Sequence, residues 1–403
     1  MNWEKVKLEE LYTVHNGLSK GGKFFGTGYP FLTFSTVFNN YFIPDELTDL
    51  VQTTEKEQES YSIIRGDVFV TRTSETADEL GMSCVALKDY PQATYNGFCK
   101  RMRPIQAARV LPEFVGYYMR MPSFRGEFKA FSTMTTRASL KNEDLLSLSV
   151  TLPPIETQRK IADIISAYDN LTKNNQKQIK LLEEAAQRLY KEWFVDLRFP
   201  GYETTPVLDG VPEGWIKDTI DSRIALLSGY AFKSSTFCDG GKYKIVTIKN
   251  VKDGQFDGDN VSHIAEIPSK MPKYCRLSDG DILLSLTGNV GRVCMVNGED
   301  YLLNQRVAKL DSEMPAYTYC LFRSKDIYDE MNNLANGAAQ QNLSPIRTGK
   351  IQIAFPTDEL IIVFEKIVQP MIDKITALNK SIVAASQARD RLLPKFMSGE
   401  LEV

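Results

Sequence analysis

Two patterns of apolar residues alternate along this chain, and each occurs twice. Over residues 1 to about 152, and again from about 211 to 355, apolar residues come in short runs or at every second position. Examples are "DVFVTR", "SCVAL" and "LSLSVTL" in the first stretch, and "KIVTIKNV", "DILLSL" and "IQIAF" in the second. Gly, Asn and Asp turns break these runs, which predicts short strands. The patches "LPEFVGYYMRMPSFRGEF" and "PAYTYCLFRSKDIYDEMN" are helical in character and fall in matching places, so each stretch reads as an α+β globular domain. After each stretch the period changes. From Ile155 the apolar positions are Ile161, Ile164, Ile165, Tyr168, Leu171, Ile179, Leu182, Ala185, Ala186, Leu189 and Trp193, at three- and four-residue spacing. Near the end the same rhythm runs through Phe364, Ile367, Val368, Met371, Ile375, Leu378, Ile382, Ala385, Leu392 and Phe396. About 40 helical residues reach roughly 60 Å, longer than one domain needs. The apolar stripes must be buried, and the expected cover for each is the other helix; each could instead pack on its own domain. Asn174, Asn175, Asn379 and Pro370 predict that the packing is not an uninterrupted zipper.

The alternation reflects an internal repeat. Trp3 and Gly17 match Trp215 and Gly229 at offset 212 (215 minus 3). "YPFLTFSTV" from Tyr29 matches "YKIVTIKNV" from Tyr243, and "GDVFVTRT" from Gly66 matches "GDILLSLT" from Gly280, both at offset 214 (243 minus 29). Gly81 and Cys84 match Gly291 and Cys294. "TTRASLKNEDLLSLSVTLPP" aligns with "AAQQNLSPIRTGKIQIAFPT" at offset 203 (338 minus 135), and this register continues through the following helix. The expected divisions are a first domain over 1–152, a central helix over 153–198, a linker over 199–214, a second domain over 215–355, and a distal helix with tail over 356–403.

Composition narrows the class. With 43% hydrophobic and 25% charged residues the mixture is that of a soluble protein. No segment approaches the roughly 20 unbroken apolar residues of a membrane span, and the charged opening lacks a signal peptide's apolar core. Six scattered cysteines and two histidines make no convincing zinc site, and reduced thiols in a cytoplasm are expected. A net charge of −3 argues against gripping nucleic acid by bulk electrostatics. There is no phosphate-binding G-x-x-x-x-G-K-[ST] loop and no G-x-G-x-x-G after a strand. The proline pair at 152–155 lacks the flanking residues of an amino-methyltransferase, and no metal-dependent nuclease arrangement occurs. "KGGKFFGTG" at 20–28 is basic and glycine-rich but lacks P-loop spacing. The expectation is a chain without a reaction centre.

The domain openings "NWEKVKLEEL" and "VPEGWIKDTI", the paired Gly-Asp strands, "TGNVGRVCMV", "NQRVAKL", the joint "SVTLPPIETQRKIADIISAYD" and the C-terminal "RLLPKFMSGEL" resemble the specificity (S) subunits of type I restriction–modification enzymes over essentially the full length. The distal joint, "FPTDELIIVF", departs from the pattern: it lacks the second Pro, and Ile361 stands where Gln158 does. The resemblance implies two α+β target-recognition domains separated by two long helices packed as an antiparallel coiled coil. Each domain would read one half of a split, asymmetric target in double-stranded DNA, the helices fixing the gap. Two methyltransferase (M) subunits would bring S-adenosylmethionine, and restriction (R) subunits would add ATP- and Mg-dependent cleavage. The chain itself would be non-catalytic, hold no cofactor or metal, and be cytoplasmic. The alternatives are a coiled-coil scaffold that does not bind DNA, and a self-sufficient DNA-modifying enzyme.

Base reading needs Arg or Lys for guanine and Asn or Gln for adenine. The candidates in the first domain are Lys20 and Lys23, Arg72 and Thr73, the cluster Lys100, Arg101 and Arg103, and Thr135, Thr136 and Arg137. In the second domain they are Lys249 and Asn250, Thr287 and Asn289, Gln305 and Arg306, and the amide run Gln340, Gln341 and Asn342. Asp67 and Asp281 are expected to cap turns, Trp3 and Trp215 to pack, and the helix stripes to be core.

Overall fold

The computed structural model describes residues 3–74, 80–131, 138–259, 261–335 and 341–403. They form two compact units, Met1–Asn170 with Ser386–Val403, and Leu171–Ala385. Each long helix therefore contributes one part of its length to each unit.

The first unit has a four-stranded antiparallel sheet in the order Tyr12–Asn16, Cys99–Pro104, Val68–Thr71, Ser83–Val85. The second repeats that order with Ala225–Ser228, Val307–Asp311, Ile282–Ser285, Val293–Met295. Each unit adds a second sheet, three-stranded in the first and four-stranded in the second, containing one parallel pair: Phe31 beside Thr94 in the first and Lys244 beside Tyr301 in the second. In each, an antiparallel pair ties the opening of the domain to the strand that leads into a long helix. These pairs are Glu4–Lys7 with Ser149–Leu152, and Ile216–Thr219 with Gln352–Phe355. The repeat read from sequence is thus a repeat of topology.

Gly17 and Gly229 show why small residues recur at fixed places. Their N–H groups donate to Cys99 O and Val307 O, each at 3.1 Å. A Cβ would come within 2.0 Å of Asn96 O in the first unit and 2.2 Å of Asn304 O in the second. Only glycine permits that backbone approach.

The central helix runs Ile155–Tyr190 and ends in a wider π turn, Lys191–Val195; the distal helix runs Asp358–Ser398. In the first unit Ile161, Ala162 and Ile165 of the one and Leu393, Phe396 and Met397 of the other join the domain's own core. In the second unit Ala186, Tyr190 and Trp193 meet Phe364, Val368, Ile372 and Ile375 in one core with the domain. There the helices run in opposite directions: Asn175 Nδ2 donates to Ser381 Oγ at 3.0 Å, whereas Trp193 lies 5.9 Å, ring to ring, from Phe364. The stripe is narrower than its sequence period suggests. Leu171, Ala185 and Ile367 are exposed rather than core, because a straight helix turns residues at the edge of the stripe away from the line of contact. Pro370 is also exposed, and the distal helix continues through it.

The segment 199–214 has structure of its own. Val207–Leu208 pairs with Val211–Pro212 around Asp209 and Gly210, whose φ values of 51° and 74° suit a two-residue hairpin turn. Phe199 is buried, 5.5 Å from the ring of Trp215.

Candidate nucleic-acid interface

In the second unit three loops meet beyond the strand Ile282–Ser285. Leu286 N donates to Arg306 O at 3.0 Å, Leu343 N to Leu286 O at 2.7 Å, and Gly288 N to Gln341 O at 2.9 Å. Thr287 bridges to Asn342, its Oγ1 donating to Asn342 Oδ1 at 3.1 Å. With the backbone held this way, Asn289, Gln305, Arg306, Gln341 and Asn342 are all exposed. The result is a fixed platform of amide and guanidinium groups, the set that hydrogen-bonds base edges. Gln340 lies outside the described residues. Lys249 is exposed on a separate turn. Asn250 beside it is fully buried, accepting from Thr247 N and donating to Asp257 O, both at 2.8 Å, so it staples that turn.

The first unit has the same frame. Arg72 N donates to Phe98 O and Leu140 N to Arg72 O, both at 2.9 Å, and Thr73 pairs with Ser139 as Thr287 does with Asn342. The side chains differ. Phe98, 56% exposed, stands where the second unit has Arg306. Lys100 is only 4% exposed and donates to Asn16 Oδ1 at 3.2 Å and to Asn142 Oδ1. Burial, and secondarily the charge of Arg72, hold its pKa below the usual lysine value. Arg72 is half-buried, and its Nε is shut off from solvent with no hydrogen-bond partner.

The neighbouring cations face elsewhere, because successive strand residues point to opposite sides. Arg101 is 8% exposed, donates to Ser62 O at 2.6 Å and lies over the Tyr95 ring. Arg103 binds both oxygens of buried Asp67, at 2.8 and 2.7 Å. Lys20 pairs with Glu57 at 2.8 Å and donates to Gln52 O. Lys23 is exposed beside the Phe24 ring. Thr135, Thr136 and Arg137 lie outside the described residues.

Asp67 and Asp281 cap turns, accepting from Ile64 N at 2.9 Å and Ser278 N at 2.8 Å, and each also holds a cation, Arg103 and Lys309 respectively. Trp3 packs on Gly399, and Trp215 on Phe199.

The joints between domain and helix differ in chemistry. Gln158, 1% exposed, accepts from Leu111 N and donates to Arg109 O and Pro153 O, each at 2.9 Å. It thereby fixes the start of the short helix Pro112–Tyr118 against the central helix. In the second unit Ile361 occupies the matching position and is core. Glu365, one turn further on, accepts from Ala316 N at 3.2 Å and Tyr317 N at 2.7 Å at the start of the matching helix Pro315–Phe322. Its burial raises its pKa against the lowering effect of those two bonds. Each short helix also sends a tyrosine to the central helix: Tyr117 donates to Asp169 at 2.6 Å, Tyr319 to Glu183 at 2.8 Å. An arginine completes each, Arg389 in the first unit and Arg323 in the second.

A frame of this kind, built twice with different exposed side chains, has a counterpart among known families. The model described as "Type I restriction modification DNA specificity domain" matches residues 1–184 and 212–383. The chain belongs to this family. It is 25% identical over its whole length to the type I restriction enzyme MjaIX specificity subunit of Methanocaldococcus jannaschii, covering 94% of that protein. It is 22% identical to the HindI specificity subunit of Haemophilus influenzae, over 99% of this chain and 100% of the relative. The fold is similar to that of the S subunit of a type I restriction–modification system from M. genitalium, with a TM-score of 0.60 at 15% identity, over 98% of this chain and 96% of the other. DNA recognition is what membership of this family of specificity subunits implies. Among the described residues no helix is long and apolar enough to cross a membrane.

Proposed function

We propose that this chain is the non-catalytic, sequence-reading subunit of a cytoplasmic type I restriction–modification complex, with each unit reading one half of a split, asymmetric DNA target. The observation that carries the proposal is the repeated three-loop frame. Thr73 with Ser139 and Thr287 with Asn342 occupy the same place in two copies of one topology, and the groups exposed around them differ. A shared frame with unlike side chains suits two readings of two different sequences. Contacts in the second unit fall to Asn289, Gln305, Arg306, Gln341 and Asn342, and in the first to Arg72, Thr73, Phe98 and Lys23. The long helices pack as an antiparallel coiled coil, and the number of helical residues joining the two domains sets the gap between half-sites. Two M subunits carry S-adenosylmethionine and the methyl transfer, R subunits carry ATP- and Mg-dependent cleavage, and this chain holds no cofactor. The net charge of −3 fits a subunit whose partners grip most of the phosphates.

Co-expression with the adjoining M subunit, followed by base-modification sequencing of host DNA, tests the reading. The expected result is methylation within a split, asymmetric motif. An assembled complex that methylates no such motif would favour a scaffold that does not read DNA. Inserting one helical turn beside Asn174, and its counterpart in the distal helix, is expected to change the gap and leave both half-sites as they were.

A further inference from the structure

Most partly buried arginines described here have acceptors. Arg103 pairs with Asp67, Arg323 with Glu183 and Arg389 with Asp169, while Arg120 donates to four backbone carbonyls. Arg72 has none: no hydrogen bond from its guanidinium and no ion pair is found among the described residues, although its Nε is shut off from solvent. The terminal Nη groups are not among the side-chain atoms shut off from solvent, so an external acceptor can reach them. Beside it, Lys100 is almost fully buried and has only asparagine partners among the described residues. The side-chain oxygens of Asn16 and Asn142 take up two of the three ammonium N–H groups. Two neighbouring cations with no carboxylate partner among the described residues make a site poised for an external acceptor.

We propose that Arg72 reads a guanine in the half-site served by the first unit, a step that rests on the DNA-recognition reading above. The planar guanidinium fork matches the paired O6 and N7 acceptors of guanine on the major-groove edge. Lys100, anchored by Asn16 and Asn142, adds positive potential next to that acceptor pair and is a positioning residue. The second unit has no equivalent, because its frame carries Leu286, 3% exposed, where the first carries Arg72. Phe98, whose carbonyl receives the Arg72 N–H, is exposed beside it and offers apolar contact to a neighbouring thymine methyl. A DNA phosphate would also satisfy two cations, so the experiment must separate base from backbone.

Wild-type, Arg72→Ala and Arg72→Lys chains, each assembled with M subunits, would be compared by base-modification sequencing. The half-site belonging to the first unit is the one left unchanged by substitutions at Gln341 and Asn342. That half is expected to contain a guanine. Both Arg72 variants should accept other bases at that single position, with discrimination falling about ten- to a hundredfold and the remaining positions retained. Arg72→Lys keeps the charge and loses the fork, so its failure to discriminate marks base reading. A first half-site without guanine would overturn the proposal. So would full discrimination in Arg72→Lys alongside a uniform loss of methylation in Arg72→Ala, which is the signature of a phosphate contact, or unchanged motifs in both variants. A wild-type complex that assembles but methylates no split motif would overturn the DNA-recognition reading itself, a distinct outcome.

Discussion

Gln158 in the first unit and Glu365 in the second both fasten a long helix to the start of a short one, one with a neutral amide and the other with a carboxylate. The amide both donates and accepts, so it binds the carbonyls of Arg109 and Pro153 as well as the N–H of Leu111. The carboxylate can only accept, and it sits where two backbone N–H groups at a helix start point outwards. The topology of the joint is therefore preserved while its chemistry is exchanged. Ile361, relieved of the glutamine's duty, becomes core. The frames above show the converse: the backbone bonds are the same and the exposed groups differ. Shared geometry with variable chemistry at the loops, and compensated chemistry at the joints, is the pattern of a duplicated unit whose two copies keep one architecture.

The largest effect should come from the aromatic core that receives the distal helix in the second unit. Phe364 is fully buried, with Phe194 at 5.0 Å, Trp193 at 5.9 Å and Tyr190 at 6.2 Å, ring to ring. Phe364→Ala is expected to cost about 3–5 kcal/mol by chemical denaturation; a loss under about 1 kcal/mol would mean that this cluster does not anchor the helix. Next comes Gln158→Ala, which leaves a partly buried N–H and two carbonyls without their partner and should cost about 2–4 kcal/mol. If it proved neutral, the first joint would be held by apolar packing alone, as the matching Ile361 is.

Glu365→Gln sharpens the contrast through pH. Because burial places the folded pKa of Glu365 above its unfolded value, the folded state binds its proton more tightly. The stabilisation from the protonated group is then complete below the unfolded pKa and is lost as pH rises through the folded one. The melting temperature of Glu365→Gln relative to wild type should therefore rise between pH 4 and pH 7, whereas Gln158→Ala should show no such trend. A difference that stayed flat or fell would contradict a burial-raised carboxylate. The smallest effect is expected at Ile367, 40% exposed despite its place in the apolar stripe: Ile367→Gln should alter stability by less than about 0.5 kcal/mol.

Much of this architecture was legible in the sequence because it follows from spacing. The change from a strand to a helical period located the long helices. The offset of 203 paired Ser139 with Asn342, and the structure places both opposite equivalent threonines. Asp67 and Asp281 were readable because Gly-Asp before a strand carries local turn chemistry. What spacing could not convey was burial. Lys100 and Arg101 stand side by side in a basic run, yet one faces two asparagines and the other a carbonyl and a ring. Asn250 is an amide of the type that reads bases, and its turn encloses it. Arg72 was a candidate from its residue type, but Phe98, and the lack of a partner for Arg72 among the described residues, became visible only once the chain brought residues 72, 98 and 140 together. Gln158 had a sequence signal, the joint itself, but its partners at 109 and 111 lie more than 40 residues away and no local rule names them.

The most direct test of the central claim, one frame used for two independent readings, is base-modification sequencing of DNA methylated by an assembled complex carrying Gln341→Ala and Asn342→Ala. The account predicts that one half of the split motif becomes relaxed while the other half and the gap stay as in wild type. Loss of sequence preference in both halves together would contradict it.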